Sequence, residues 1–175
     1  MRTFKLIALA ALVTVFASCK NNDDDGGTPD VDLILGLWTG TGVDYSGTTV
    51  TEASGQTITA DFTGESFDEN YTLNISSDPN EFTSEGTYSL ELTTTVLGQS
   101  STETVTGLTL FDSGTWELNG SELTITSGGE TSTGTIVELT ENTLRISATE
   151  EETVTDPDLG FTITTTVTAI ATYTK

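Results

Sequence analysis

Phe161-Thr162-Ile163-Thr164-Thr165-Thr166-Val167-Thr168-Ala169-Ile170-Ala171-Thr172-Tyr173 is the stretch that decides the fold of this chain. One set of alternate positions carries Phe161, Ile163, Val167, Ala169, Ala171 and Tyr173. The other carries Thr162, Thr164, Thr166, Thr168 and Thr172, with Ile170 the one apolar residue among them. A period of two, apolar on one side and hydroxylated on the other, is what a strand needs when one face is buried and the other wet. A helix would smear both sets around its circumference.

The same alternation extends outward through the chain. Ile58, Ala60 and Phe62 alternate, as do Tyr71, Leu73 and Ile75, and then Tyr88, Leu90, Leu92 and Val96. Around Gly107 the phase slips between Val105 and Leu108–Leu110, which predicts a β-bulge. Asn119-Gly120 sits between the runs Trp116–Leu118 and Glu122–Ile125, a strong local signal for a tight hairpin. Asp78-Pro79-Asn80, Gly128-Gly129, Glu141-Asn142 and Asp156-Pro157-Asp158 mark further turns. Threonine, a β-branched strand former, fills 39 of the 175 positions. No helical pattern of 10–15 residues separates the runs, so a parallel sheet is not expected. The reading is an all-β fold: eight to ten antiparallel strands in an up-and-down barrel over residues 33–175. A β-sandwich is the alternative. Closure favours the barrel, since it removes the edge strands that a threonine-rich sheet would expose.

Composition narrows the chemistry. The chain has no histidine and one cysteine, which excludes a histidine-based triad, a Cys/His zinc site and an internal disulfide. A formal charge of −22 argues against binding to phosphate backbones, so nucleic acid is not an expected partner. Carboxylates such as Glu65 and Asp68, or Glu150, Glu151 and Glu152, lie in runs near turn residues, where acids solvate loops. Asn21, Asp23, Asp25, Gly26 and Asp32 have the spacing of a calcium loop, but Thr28 and Pro29 interrupt it. No catalytic residue, cofactor or metal site is expected.

The N-terminus reads as an address. Two cations, Arg2 and Lys5, precede the eleven-residue apolar run Leu6–Phe16. That is too short for the ~20 residues of a spanning helix and fits the core of a secretion signal. Val15-Phe16-Ala17-Ser18-Cys19 resembles the lipobox of bacterial lipoproteins, which implies cleavage before Cys19 and acylation of that cysteine. Residues 1–18 are then the signal peptide and residues 19–32 a lipidated, acidic tether. Removing residues 1–18 leaves Lys20, Arg145 and Lys175 against 27 acids, a charge of −24. The cluster Asp23-Asp24-Asp25 resembles the surface-export signal of Bacteroidota-type lipoproteins. The resemblance implies an outer-membrane protein, lipid-anchored through palmitate-type chains and exposed on the cell surface.

Downstream, Val31, Ile34, Leu35 and Trp38 recur at helical spacing, one or two amphipathic turns running into a strand. Gly36-Leu37-Trp38 resembles the G-x-W signature of lipocalins, where a short helix plugs the closed end of the barrel. Gly114–Gly120 with Leu123-Thr124-Ile125, and Ile136–Thr140 with Leu144-Arg145-Ile146, resemble hairpins of bacterial lipocalin-like lipoproteins. The resemblance implies structural roles for Gly36 and Trp38, with an arginine packed over the tryptophan. Arg145, the one arginine after the signal, is its candidate. It also implies a binding barrel for a small apolar ligand, with Trp38, Phe62, Tyr71, Tyr88, Trp116 and Tyr173 as candidate lining. The other reading is an interaction module with a filled core, whose acidic surface attracts a cationic protein.

Overall fold

The computed structural model describes residues 30–158 and 160–175. The signal sequence, Cys19 and all but the last residues of the tether lie outside them, as do Asn21, Asp23, Asp25 and Gly26. Asp30 caps a single helical turn, α1 (Val31–Ile34), its side chain accepting from the Asp32 N–H at 3.1 Å. Nine antiparallel strands follow: β1 (Gly36–Ala53), β2 (Gln56–Ser76), β3 (Glu81–Val96), β4 (Gln99–Leu108), β5 (Gly114–Asn119), β6 (Glu122–Ser127), β7 (Glu130–Leu139), β8 (Thr143–Asp156) and β9 (Phe161–Thr174). Among the described residues, no helix is long and apolar enough to cross a membrane.

Eight of the strands close a ring in the order β1-β2-β3-β5-β6-β7-β8-β9, with β9 pairing back onto β1. The fold is therefore a barrel and not a sandwich. The sequential hairpins come from the turns legible in the sequence. Asn119 pairs with Glu122 around Gly120, and Ser127 pairs with Glu130 around Gly128 and Gly129. All three glycines have positive φ, which the tight turns demand. The expected bulge is present: between Tyr88↔Leu108 and Leu90↔Val105 the register slips, with Gly107 at φ +72°.

β4 stands outside the ring. One edge of β3 runs along β2; the other is shared, pairing with β4 from Tyr88 to Val96 but with β5 only at Glu81 and Phe82. That narrow seam is reinforced by Trp116, whose backbone N–H donates to Asn80 O at 3.2 Å and whose indole N–H donates to Ser76 O at 2.9 Å. The link between β4 and β5 turns Leu110 and Phe111 inward, Phe111 meeting Phe82 edge to face at 6.2 Å.

Two further features set the shape. The alternating runs at 58–62 and 71–75 belong to one 21-residue strand, β2, interrupted by a bulge between Phe67 and Asn70. β5 and β6 have only six residues each, so β1, β2, β3, β8 and β9 rise well beyond them. On the outer face of the tall part, cross-strand threonine pairs such as Thr149–Thr168, Thr153–Thr164 and Thr93–Thr102 join hydroxyl to hydroxyl at 2.8, 3.1 and 2.9 Å. At the short end, Ile34, Trp38, Val43, Leu144 and Tyr173 are fully buried and form a solid floor.

Candidate functional site

Above that floor the interior opens into a cavity of about 260 Å3. The strand alternation that makes the barrel also decides which side chains reach it. β2 contributes Leu73 and Ile75, β3 Phe82, β5 Trp116, and β6 Leu123 and Ile125. β8 contributes Ile146, Ala148 and Glu150, and β9 contributes Val167 and Ala169; Tyr45 comes from β1, Leu110 and Phe111 from the β4–β5 link. Space exists because several inward positions are small. Ala148 faces Ala169 across the β8–β9 ladder, and Ala169 faces Tyr45 across the β9–β1 ladder. Gly134 of β7 adds no side chain at all.

The cavity has a side window. β7 pairs with β8 up to Thr135↔Ser147, and above that point the two strands part. Ser132, Thr133 and Gly134 on one strand, with Ala148 and Glu150 on the other, border this gap and line the cavity. Among the described residues Glu150 is the one charged residue in the lining, and it is exposed.

Behind Tyr45 stand the other three tyrosines of the chain. The hydroxyls of Tyr45 and Tyr88 share a hydrogen bond of 2.6 Å, and the Tyr71 hydroxyl donates to Gly42 O at 3.1 Å. The Tyr71 ring lies 5.7 Å from Tyr88 and 5.6 Å from Tyr173, centroid to centroid, in tilted and edge-on contacts. Burial raises all four hydroxyls above the ordinary tyrosine range: Tyr71 to about 12, Tyr88 and Tyr173 well above. Tyr45 is held up by burial first and then by the negative charge of Glu150 nearby. All four are neutral at physiological pH, and the cluster forms a hydrogen-bonded aromatic wall.

The residues expected from sequence to line the site separate into three groups. Trp116 lines the cavity. Tyr71, Tyr88 and Tyr173 pack behind its wall, and Trp38 lies in the floor, its indole N–H donating to Ile34 O at 2.7 Å. Phe62 is half-buried on the tall part of β2, against Gly47 of β1, and does not reach the cavity. Trp116 is the one sequence candidate in the lining; Tyr45, Phe82, Phe111 and Glu150 are among the lining residues that sequence reasoning missed as ligand contacts.

One expectation is corrected. The cation over Trp38 is Lys175, with Nζ 4.2 Å from the ring centroid and donating to Leu33 O at 2.8 Å. Arg145 lies elsewhere, Nη1 3.7 Å from Glu138 Oε2 on the neighbouring strand. Register explains this: Arg145 falls between the inward positions Leu144 and Ile146, so its side chain points out of the barrel.

A plugging turn, a G-x-W strand start over a closed floor and an up-and-down ring enclosing a cavity are now in place. A family profile for the lipocalin-like domain matches residues 34–146. The chain belongs to the lipocalin-like domain family. No curated protein matches the chain. The match to the lipocalin-like domain begins at Ile34 in the plug and runs to Ile146 in the cavity wall, short of the lining residues Ala148, Glu150, Val167 and Ala169.

Proposed function

We propose that this protein is a non-enzymatic carrier, its lipocalin-like barrel taking up one small apolar molecule through the β7–β8 window. The observation behind this reading is the cavity: about 260 Å3 of space walled by aromatic and aliphatic side chains, with a few polar groups at its border. A filled core would have put large side chains where Ala148 and Ala169 stand. Its size falls just under the ~300–1,000 Å3 of sites for drug-sized ligands, so the occupant is a compact molecule.

In this reading the barrel is held at the outer membrane, on the cell surface, by acyl chains on Cys19, with the acidic residues from Asp23 as spacer. The lipobox-like sequence supports it. One acyl chain anchors only marginally, and two or three hold firmly, at about 0.8 kcal/mol per buried CH2. The mature charge of −24 favours cationic partners over anionic polymers at that surface.

Native mass spectrometry of the purified protein tests the carrier reading. A released small molecule whose adduct disappears in Ala148→Phe is the expected result. Repeated absence of any adduct, including after incubation with small aromatic alcohols, contradicts it. Incorporation of labelled palmitate, lost in Cys19→Ser, tests the anchor.

A further inference from the structure

We infer that the ligand is an amphipathic amine, its ammonium group seated at the β7–β8 window against Glu150 and its apolar body among Tyr45, Phe111 and Trp116. This rests on the carrier reading and deepens it. Glu150 is, among the described residues, the one charged side chain that lines the cavity. Among the described residues the protein's own cations are engaged elsewhere: Arg145 with Glu138, and Lys175 with Leu33 O and the Trp38 ring. Neither cation among the described residues is therefore placed to neutralise the carboxylate at the window.

The rest of the lining suits a cation equally well. Tyr45, Phe82, Phe111 and Trp116 place four aromatic rings in the lining, and the negative quadrupole of a ring face attracts an ammonium or the polarised CH2 groups beside it. An ammonium has three donors to place. The Glu150 carboxylate accepts one, and Ser132, on the inward side of β7 across the gap, offers a hydroxyl oxygen for another. The overall charge of −22, with 27 acids, concentrates small cations at the surface and depletes anions. A carboxylate-headed ligand of the same shape would meet the repulsion of Glu150 at the window.

Three probes of one shape decide the matter: 4-phenylbutylamine, 4-phenylbutan-1-ol and 4-phenylbutanoate, titrated calorimetrically into the protein at low salt. The amine is expected to bind about tenfold more tightly than the alcohol, and the acid not at all. Glu150→Gln should bring the amine down to the alcohol and leave the alcohol unchanged, while raised salt narrows the gap. Equal binding of amine and alcohol, or a preference for the amine that survives Glu150→Gln, overturns the amine assignment and leaves an apolar carrier standing. Amine binding that persists in the cavity-filling variant Ala148→Phe places it on the acidic surface and overturns the assignment too. If none of the three binds, the carrier reading falls and takes this inference with it.

Discussion

Lys175 Nζ stands 4.2 Å above the Trp38 ring while donating to Leu33 O, so the last residue described ties the plugging turn to the barrel floor. A cation on an indole face contributes about 0.5–2 kcal/mol, and a charge-assisted hydrogen bond to a backbone carbonyl adds to it. Lys175→Met keeps most of the stem and removes the charge. It should lower stability in urea denaturation by about 1 kcal/mol. Arg145→Ala breaks only a half-exposed ion pair and should cost under about 1 kcal/mol. A larger loss from Arg145→Ala than from Lys175→Met would contradict the placement of the two cations.

Trp38 closes the floor by volume and by its hydrogen bond. Trp38→Phe leaves the Ile34 carbonyl without its indole donor and opens a small void, and should cost about 2–3 kcal/mol. Trp38→Ala should cost about 3–5 kcal/mol. Thermal and urea unfolding of both variants check the order. Equal, small losses would mean that the floor is held by something else.

The tyrosine wall makes the protein sensitive to alkali. Free tyrosine ionises near 10.0, whereas burial holds Tyr71 at about 12 and the other three above their ordinary range. Below pH 10 these tyrosines are neutral in both the folded and the unfolded chain, and the cluster is fully stabilising. As pH rises from 10 through 12, the unfolded chain loses protons that the fold retains, so stability falls, by up to about 1.4 kcal/mol per tyrosine per pH unit. Absorbance at 295 nm followed together with circular dichroism should show tyrosinate forming above pH 10 in step with unfolding. Independent ionisation near pH 10 with the fold intact would refute the buried cluster.

Close packing around that wall singles out one glycine. A Cβ on Gly40 would sit 2.0 Å from the Tyr71 ring, whereas one on Gly42, two residues along, would meet nothing within 4 Å. Gly40→Ala should therefore cost about 1–3 kcal/mol, and Gly42→Ala within about 0.5 kcal/mol of zero. The pair of melting curves checks it, and indistinguishable shifts would argue against Tyr71 packing on β1.

The barrel was legible because strand alternation and turn chemistry are local. Phe161–Tyr173 shows its two faces within thirteen residues, Asn119-Gly120 marks its own hairpin, and Gly107 betrays a bulge by a phase slip. What escaped depends on register between distant strands. Lys175 reaches Trp38 across most of the chain, and no neighbour of either residue announces it. Large aromatics mark the cavity poorly; it owes its space to the small inward residues Ala148 and Ala169, which meet only once β8, β9 and β1 are aligned. Glu150 read as one acid in a solvated run. The parting of β7 and β8 above Thr135↔Ser147 is what places it at the cavity window.

The central claim is that this barrel is hollow above its floor, and a crystal pressurised with xenon probes that space directly. Xenon occupies apolar cavities that remain open. A xenon peak inside the barrel, bounded by Trp116, Leu123 and Ala169 and missing in Ala148→Phe, is the result expected. Crystals in which side chains fill that volume, with no xenon anywhere within the ring of strands, would contradict the account.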